Sequence, residues 1–228
     1  DTAEGHAVRL VYMCTAIADL ARETGDLELV NTCKKIWDNI VKKRMYITGG
    51  IGSTVIGESF TLDYDLPNDT MYCETCASIG LIFFARNMLR IEASGEYADV
   101  MERALYNTAI AGMALDGKHF FYVNPLESSP KKYKHDPTKS HVKPVRPQWL
   151  GCACCPPNLA RLISSLEEYI YTETNDGRIL TNLFVQSEAD FEWGNIKQIT
   201  NYPNDENINI TVENTDKYEK IIGFRIPS

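Results

Sequence analysis

The chain has 228 residues, of which 44% are hydrophobic, and a formal net charge of −8 at pH 7. This hydrophobic content is ordinary for a globular protein with a buried core. The acidic balance argues against nucleic-acid binding, which usually needs a basic surface. Because no apolar run approaches the roughly 20 residues of a transmembrane helix, we expect neither a nucleic acid nor a membrane as a partner.

The N-terminal stretch DTAEGHAVRL has no initiator Met, no basic segment and no apolar segment, so it does not resemble a signal peptide. It leads directly into helix-like sequence. We therefore expect the chain to be a fragment of a longer protein whose true start lies upstream. Its seven cysteines are an odd number, which fits free thiols or metal ligands better than a disulfide framework. We therefore expect a reducing compartment and a cytoplasmic location.

Hydrophobic periodicity predicts a pair of helices at the start of the chain, over residues 5–24 and 27–44. Gly25 is the predicted stop of the first helix, and Asp26 is the predicted N-cap of the second. Residues 46–73 then break the pattern with four glycines and many polar side chains. Long irregular loops of this kind are often functional.

A second helix pair is predicted over residues 75–92 and 95–114, followed by a strand over 119–124. Pro156 and Pro157 suit the first turn of a further helix, which we expect to end near residue 172. Between them lies a basic segment, residues 128–149. A solvated surface loop is the simpler interpretation of this segment, and a lid near an active site is the functional one.

From about residue 178 the pattern changes to short strands separated by turns. The sequence therefore predicts a mainly α fold with a C-terminal β portion. Residues 1–175 form the helical part and residues 176–228 begin a β domain. Helix pairs joined by long loops are typical of part of a helical toroid whose loops gather at one end.

Two C-x2-C pairs suggest a zinc site, because two thiolates at this spacing can grip one tetrahedral ion. Spacing alone favours a structural set of four cysteines, namely Cys73, Cys76, Cys152 and Cys155. Glu74 and Cys154 lie inside the two pairs, and a carboxylate is also a legitimate zinc ligand. A set of one glutamate and three cysteines, Glu74, Cys76, Cys154 and Cys155, is therefore equally feasible, and buried cysteines without metal are a third interpretation.

Five segments together resemble the β-L-arabinofuranosidases of glycoside hydrolase family 127. They are EGHAVR at 4–9, YITGGIGS with GESF at 46–60, YCETCASIG at 72–80, FFYVNPLE at 120–127 and GCACCPPNLAR at 151–161. The resemblance implies part of an (α/α)6 barrel of the six-hairpin glycosidase type, followed by the start of a β-sandwich domain. It also implies a retaining glycosidase that releases L-arabinofuranose from β-L-arabinofuranosides.

The resemblance selects the zinc set of Glu74, Cys76, Cys154 and Cys155, and it makes Cys154 the nucleophile. Glu58 corresponds to the general acid/base, and His6 and Tyr122 would contact the sugar. Each assignment has a simpler competitor. Glu58 could be a surface glutamate, His6 a packing histidine and Tyr122 a core aromatic.

Two other functions remain open from the sequence. One is a non-catalytic helical scaffold that is stapled by a four-cysteine zinc site and binds a glycan or a protein. The other is a related glycosidase that acts on another furanoside. The sequence also leaves a homo-oligomer open.

Overall fold

The computed structural model describes residues 2–174 and 176–227. It divides into two compact units, Asp1–Ser164 and Ser165–Ser228. The first is helical and the second contains small β-sheets. None of the helices in the described ranges combines the length and the apolar character that a membrane crossing requires.

The first two helices form the predicted hairpin. Helix α1 spans Ala7–Thr24 and ends at Gly25, which has φ of 68°. Asp26 caps α2, Leu27–Asn39, by accepting hydrogen bonds from the backbone N–H groups of Glu28 and Leu29. The expected end of α2 near residue 44 is a π-helical turn, Ile40–Arg44.

The long loop after this hairpin is anchored to the helices rather than free. Gly49 has φ of 81°, and a Cβ at this position would lie 2.7 Å from the backbone of Ala104. The backbone N–H of Phe60 donates to the carbonyl of Gly5 at 3.0 Å, and His6 and Ser59 form an isolated β-bridge. These contacts hold the loop beside the start of α1.

Helix α3, Thr75–Ile91, is the centre of the first unit. Thirteen of its residues are buried, as expected for a helix that is enclosed by others. It packs against α1, α4 (Gly95–Ala104) and α6 (Cys155–Ser164). The approach to α1 is close, because a Cβ on Gly80 would lie 2.5 Å from the Val11 side chain.

Three sequence predictions for the helical unit need correction. The helix expected to end at residue 114 is α-helical only to Ala104, and it continues as a π turn, Leu105–Ala109, and a 3-10 turn, Ile110–Gly112. The strand expected at 119–124 is reduced to two isolated bridges, which pair Phe120 with Met113 and Val123 with Glu74. The helix expected to reach residue 172 ends at Ser164.

The basic segment contains two short helical pieces, α5 (Pro130–Tyr133) and the 3-10 turn Pro137–Lys139. The ammonium of Lys139 bonds to the carboxylate of Asp69, and that of Lys132 bonds to Glu127 at 2.8 Å. Val142 is fully buried. One side of this segment is therefore packed against the helical unit.

The second unit starts with a short helix, α7 (Glu167–Ile170), and has two three-stranded sheets. In one sheet β2 (Ile179–Thr181) pairs with β1 (Tyr171–Glu173) and with β6 (Ile222–Phe224). In the other sheet β4 (Gly194–Thr200) pairs with β3 (Ser187–Phe191) and with β5 (Ile208–Asn214). The predicted change to short strands is thus confirmed, although β1 begins where a helix was expected and the strand expected from residue 178 is short.

Candidate active site

Four potential metal ligands lie at the starts of two adjacent helices. Glu74 is the N-cap residue of α3, and Cys76 is in its first turn. Cys155 is the first residue of α6, and Cys154 directly precedes it. Because α3 packs against α6, residues about 80 positions apart in the sequence meet at one point.

The four side chains form a tight cluster, in which one ligand atom from each lies within 4.8 Å of the others. The sulfur of Cys155 lies 3.6 Å from that of Cys76 and 3.7 Å from that of Cys154. The Cys154 sulfur is 3.4 Å from Oε1 of Glu74. Glu74, Cys76 and Cys155 are buried, and Cys154 is half-buried.

Backbone contacts fix the entrance to α3. Cys73 has φ of 43°, and its carbonyl accepts from the Asn124 side-chain amide at 2.9 Å. The backbone N–H of Thr75 donates to the carbonyl of Tyr122 at 2.9 Å. The segment expected to be a strand therefore acts as a clamp that orients Glu74 and Tyr122 towards the same place.

The four side chains of the cluster differ widely in pKa. The pKa of the Cys154 thiol is held well below its usual range, because the thiols of Cys155 and Cys76 bond to its sulfur. The pKa values of Cys76 and Cys155 are raised through their bonds to Cys154. Burial, together with the negative sulfur of Cys154, raises the pKa of Glu74 to about 8. Of the three sulfurs, the one that ionises most readily is Cys154.

The cluster fits a zinc ion by its chemistry. Oε2 of Glu74 is buried and has no hydrogen-bond partner among the described residues, a costly state for a carboxylate oxygen. Thiolates and carboxylates are established zinc ligands, and four of them complete a tetrahedral site. A cation bound here would compensate the buried oxygen and the crowded sulfurs together.

The structure does not bring together the alternative set of Cys73, Cys76, Cys152 and Cys155. Cys152 is exposed, and the group that could hold a metal contains neither Cys152 nor Cys73. Cys73 is fully buried in a separate apolar cluster with Tyr46 and Met71. The C-x2-C spacing thus identified the right two regions, but one residue of each pair lies outside the cluster.

Glu58 lies beside this cluster, and both of its carboxylate oxygens have partners. Oε2 is 2.9 Å from Nε2 of His6, and Oε1 accepts from the hydroxyl of Tyr72 at 2.9 Å. One ligand atom each of His6, Glu58 and Glu74 lies within 4.8 Å of the others. The structure therefore brings the predicted acid/base and the predicted metal ligands into one site.

His6 and Tyr122 also lie in this site. Nδ1 of His6 is buried without a hydrogen-bond partner among the described residues. The Tyr122 side chain bonds to Cys154, and its ring meets that of Tyr72 edge to face with the centroids 5.8 Å apart. A depression of about 380 Å³ opens beside His6, and Glu4, Arg9 and Ser59 are part of its lining.

Sequence reasoning missed two residues of the site. Tyr72 directly precedes the first cysteine pair, but nothing in the sequence distinguishes it from a core aromatic. Asn158 bonds to Cys76, while its side-chain oxygen accepts from the hydroxyl of Tyr12 at 2.8 Å and from the guanidinium of Arg161 at 2.7 Å. Its position one helical turn after Cys154 is a signal that could have identified it.

The basic segment reaches the site through His141. The imidazole lies with its centroid 6.0 Å from that of the Tyr72 ring, and Nε2 is 3.3 Å from the carbonyl oxygen of Met71. The segment is therefore more than a solvated loop, because one of its side chains packs against a tyrosine that bonds to Glu58.

Comparisons with known proteins point to one family. A model of the GH127 β-L-arabinofuranosidase catalytic domain matches residues 1–168, and a model of the GH127 middle domain matches residues 178–228. A non-reducing end β-L-arabinofuranosidase from Bifidobacterium longum subsp. longum is 50% identical to the chain. That match covers 99% of the chain and 35% of the curated relative.

Solved structures agree with these matches. A GH127 β-L-arabinofuranosidase from Geobacillus stearothermophilus T6 is similar with a TM-score of 0.93 at 54% identity, over 99% of this chain and 36% of that one. A second GH127 β-arabinofuranosidase has a TM-score of 0.86 at 42% identity, over 100% of this chain and 34% of the other. The chain thus spans about a third of the length of these relatives.

Proposed function

We propose that this chain, which belongs to the GH127 β-L-arabinofuranosidase family, carries the reacting residues of a retaining glycosidase that releases L-arabinofuranose from β-L-arabinofuranosides. The observation that carries the proposal is the cluster of Glu74, Cys76, Cys154 and Cys155 beside Glu58. The activity is proposed for the complete protein, since the chain spans about a third of the length of its relatives.

Cys154 is the proposed nucleophile. Most retaining glycosidases use two carboxylates about 5 Å apart, one as nucleophile and one as acid/base, and here a thiolate would replace the first. A zinc ion held by Glu74, Cys76, Cys154 and Cys155 would keep the Cys154 thiol deprotonated and fix the direction of its sulfur. Cys154 is also the least buried of the four side chains, so its sulfur is the one that a sugar can reach.

Glu58 is the proposed general acid and base. In the first step the Cys154 sulfur attacks the anomeric carbon, the glycosidic C–O bond breaks, and Glu58 gives its proton to the departing oxygen. In the second step a water molecule attacks the same carbon and Glu58 takes its proton. The C–S bond breaks, and Cys154 is restored as a thiolate.

His6 and Tyr122 are the proposed sugar contacts. Nδ1 of His6 has no partner among the described residues, so it is available to a sugar hydroxyl once the substrate is bound. The Tyr122 hydroxyl lies within hydrogen-bond reach of Cys154. Both side chains therefore border the space in which the anomeric carbon must lie.

We also propose that the helical part, residues 1–175, belongs to an (α/α)6 barrel and that the β part, residues 176–228, begins a β-sandwich domain. The domain matches, which end at residue 168 and resume at residue 178, support this division. We also propose a reducing, cytoplasmic location, because none of the seven cysteines is paired in a disulfide.

The experiment that tests the function combines metal analysis with an arabinofuranosidase assay on the full-length protein. We expect one zinc per chain and turnover of 4-nitrophenyl β-L-arabinofuranoside. Cys154→Ser should lower kcat by at least about a thousandfold because it removes the nucleophile. Cys152→Ser, a matched change two positions away on an exposed side chain, should leave turnover unchanged.

Several results would contradict the proposal or change it. Protein that contains no zinc, or turnover that survives Cys154→Ser, would remove the zinc-thiolate mechanism. Retained zinc and fold with no turnover of any arabinofuranoside would favour the scaffold hypothesis instead. Faster turnover of another furanoside would keep the mechanism and change the substrate.

A further inference from the structure

Glu58 is held in an unusual backbone conformation. It closes a 3-10 turn, Ile56–Glu58, with φ of 52°, a region that residues other than glycine rarely adopt. The turn is tied down by a β-bridge between Thr54 and Ser59. The backbone thus fixes where the Glu58 side chain starts, and the contacts at its carboxyl end decide which oxygen faces the substrate.

Tyr72 is the more rigid of the two partners of that carboxyl group. It is 7% exposed, its backbone N–H donates to the carbonyl of Gly52 at 3.2 Å, and its own carbonyl accepts from Asn124. Its ring is packed against Tyr122 and His141. The hydroxyl that reaches Oε1 of Glu58 therefore has little freedom to move.

A phenol hydroxyl that donates to Oε1 distinguishes the two oxygens of Glu58. The lone pair of Oε1 that faces Tyr72 is occupied, whereas Oε2 faces Nε2 of His6, the proposed sugar contact. A proton on Oε2 would keep both contacts, because the imidazole nitrogen can accept it. If the proton were on Oε1 and faced Tyr72, the carboxyl O–H and the Tyr72 O–H would both be donors and could not bond to each other.

We propose that Tyr72 is a positioning residue that makes Oε2 of Glu58 the oxygen that carries the transferred proton. This inference rests on the proposed function, because it assigns a part in proton transfer to a residue that does not itself contact the reacting atoms. Tyr72 fixes the carboxyl plane and keeps the proton off Oε1, so the Oε2 proton, which bonds to the His6 imidazole in the free enzyme, is the one given to the departing oxygen when substrate is bound. Its contribution is greatest where the leaving group cannot depart without a proton.

Leaving-group dependence separates this role from a structural one. Methyl β-L-arabinofuranoside needs protonation of its leaving oxygen, whereas 4-nitrophenyl β-L-arabinofuranoside releases a stable phenolate. Tyr72→Phe in the full-length zinc protein removes only the hydroxyl. We expect kcat/KM for the methyl glycoside to fall on the order of tenfold, and that for the nitrophenyl glycoside to fall by less than about twofold.

Tyr46→Phe is the matched control. Tyr46 is also buried, lies in the same region, and donates its hydroxyl to the carbonyl of Pro67 at 3.1 Å. Removal of the Tyr46 hydroxyl should change kcat/KM by the same factor for both glycosides. Tyr72→4-aminophenylalanine, which keeps an N–H donor at this position, should restore most of the kcat/KM for the methyl glycoside. Zinc content and thermal unfolding of each variant report whether the fold is intact.

The outcomes separate this inference from the proposed function. Equal losses with both substrates, no loss with the methyl glycoside, or no recovery with the amino variant would each overturn the role of Tyr72 while leaving the glycosidase intact. A wild-type protein that hydrolyses neither arabinofuranoside would instead overturn the proposed function, and the positioning role with it.

Discussion

At the scale of single residues, two glutamates of the site lie in different surroundings, and we expect them to have different roles. Glu74 is 3% exposed, lies among three sulfurs, and has one oxygen without a partner among the described residues. Glu58 is more exposed and has a partner on each oxygen. The first environment suits a metal ligand, and the second suits a group that exchanges a proton.

Glutamine substitutions should therefore separate metal binding from catalysis. Glu74→Gln removes the negative oxygen from the cluster, and we expect zinc affinity to fall by at least about 100-fold, since even outer contacts of a metal site are worth 10- to 100-fold. Glu58→Gln should keep the zinc and lose at least about 100-fold in kcat with a methyl arabinofuranoside. Zinc titration against a competing chelator, together with the assay, measures both effects. Loss of zinc from Glu58→Gln, or full zinc affinity in Glu74→Gln, would contradict this division.

At the scale of secondary-structure elements, the helix pairs could be predicted because their signals are local. Gly25 and Asp26 end one helix and cap the next exactly where sequence rules place them. The π turns after Asn39 and Ala104 could not be predicted, because their apolar residues continue the helical pattern. The residues at 119–124 include three consecutive aromatics, as a buried strand would, but the backbone of Tyr122 and Asn124 bonds to the entrance of α3 instead.

The types of residue in the site could be predicted from the sequence spacing, but which of them lie together could not. Spacing identified two cysteine pairs at helix starts, yet it could not choose between Cys73 and Glu74, or between Cys152 and Cys154. That choice depends on the backbone at Cys73, which has a positive φ and turns its side chain into an apolar cluster. Such a local reversal arises from tertiary contacts with Gly52 and Asn124, which no spacing rule contains.

The π turn after α2 is tied to the long loop by a charged cluster around Asp63. Its Oδ1 accepts from the Asn39 amide at 3.0 Å and from Nε of Arg44 at 2.8 Å, and its Oδ2 accepts from Lys43 at 2.9 Å. The bonds from Lys43, Asn39 and Arg44 hold the pKa of the Asp63 carboxyl well below its usual range. Arg44 is buried and depends on this carboxylate for its charge partner.

This cluster predicts an acid-sensitive contribution to stability. The folded pKa of Asp63 lies below the unfolded value of about 3.9, so the folded state binds fewer protons and the stabilisation is present above about pH 4. It is lost as the pH falls further towards the folded pKa. Asp63→Asn should lower Tm at neutral pH, and its difference from wild type should shrink below about pH 4.

Thermal unfolding of both proteins between about pH 3 and about pH 7 measures the effect. Asp65→Asn, the same chemical change two positions along the loop, is the matched control and should show a smaller loss at neutral pH. A difference between Asp63→Asn and wild type that is independent of pH would show that the carboxylate charge is not what stabilises the turn.

At the scale of the whole molecule, the proposed metal cluster and the proposed sugar pocket need different lengths of chain. All four candidate ligands lie between residues 74 and 155, and helices α1, α4 and α6 pack against α3 within the first unit. An enclosed sugar pocket needs more, because the relatives are about three times as long and the depression beside His6 is open. Five helices of ten or more residues in the described ranges fall short of the twelve that six hairpins require.

We therefore predict that the 228-residue chain produced alone binds zinc but is a poor catalyst. Its zinc affinity should lie within about tenfold of that of the full-length protein, because the ligands and the helices that carry them are all present. Its kcat/KM for 4-nitrophenyl β-L-arabinofuranoside should be at least about 100-fold lower, because misplaced substrate loses about that much rate. Parallel zinc titrations and activity assays of the isolated chain and the full-length protein test both expectations. Equal turnover would show that the pocket is complete within this chain, and a failure of the isolated chain to bind zinc would show that the cluster itself needs the rest of the full-length protein.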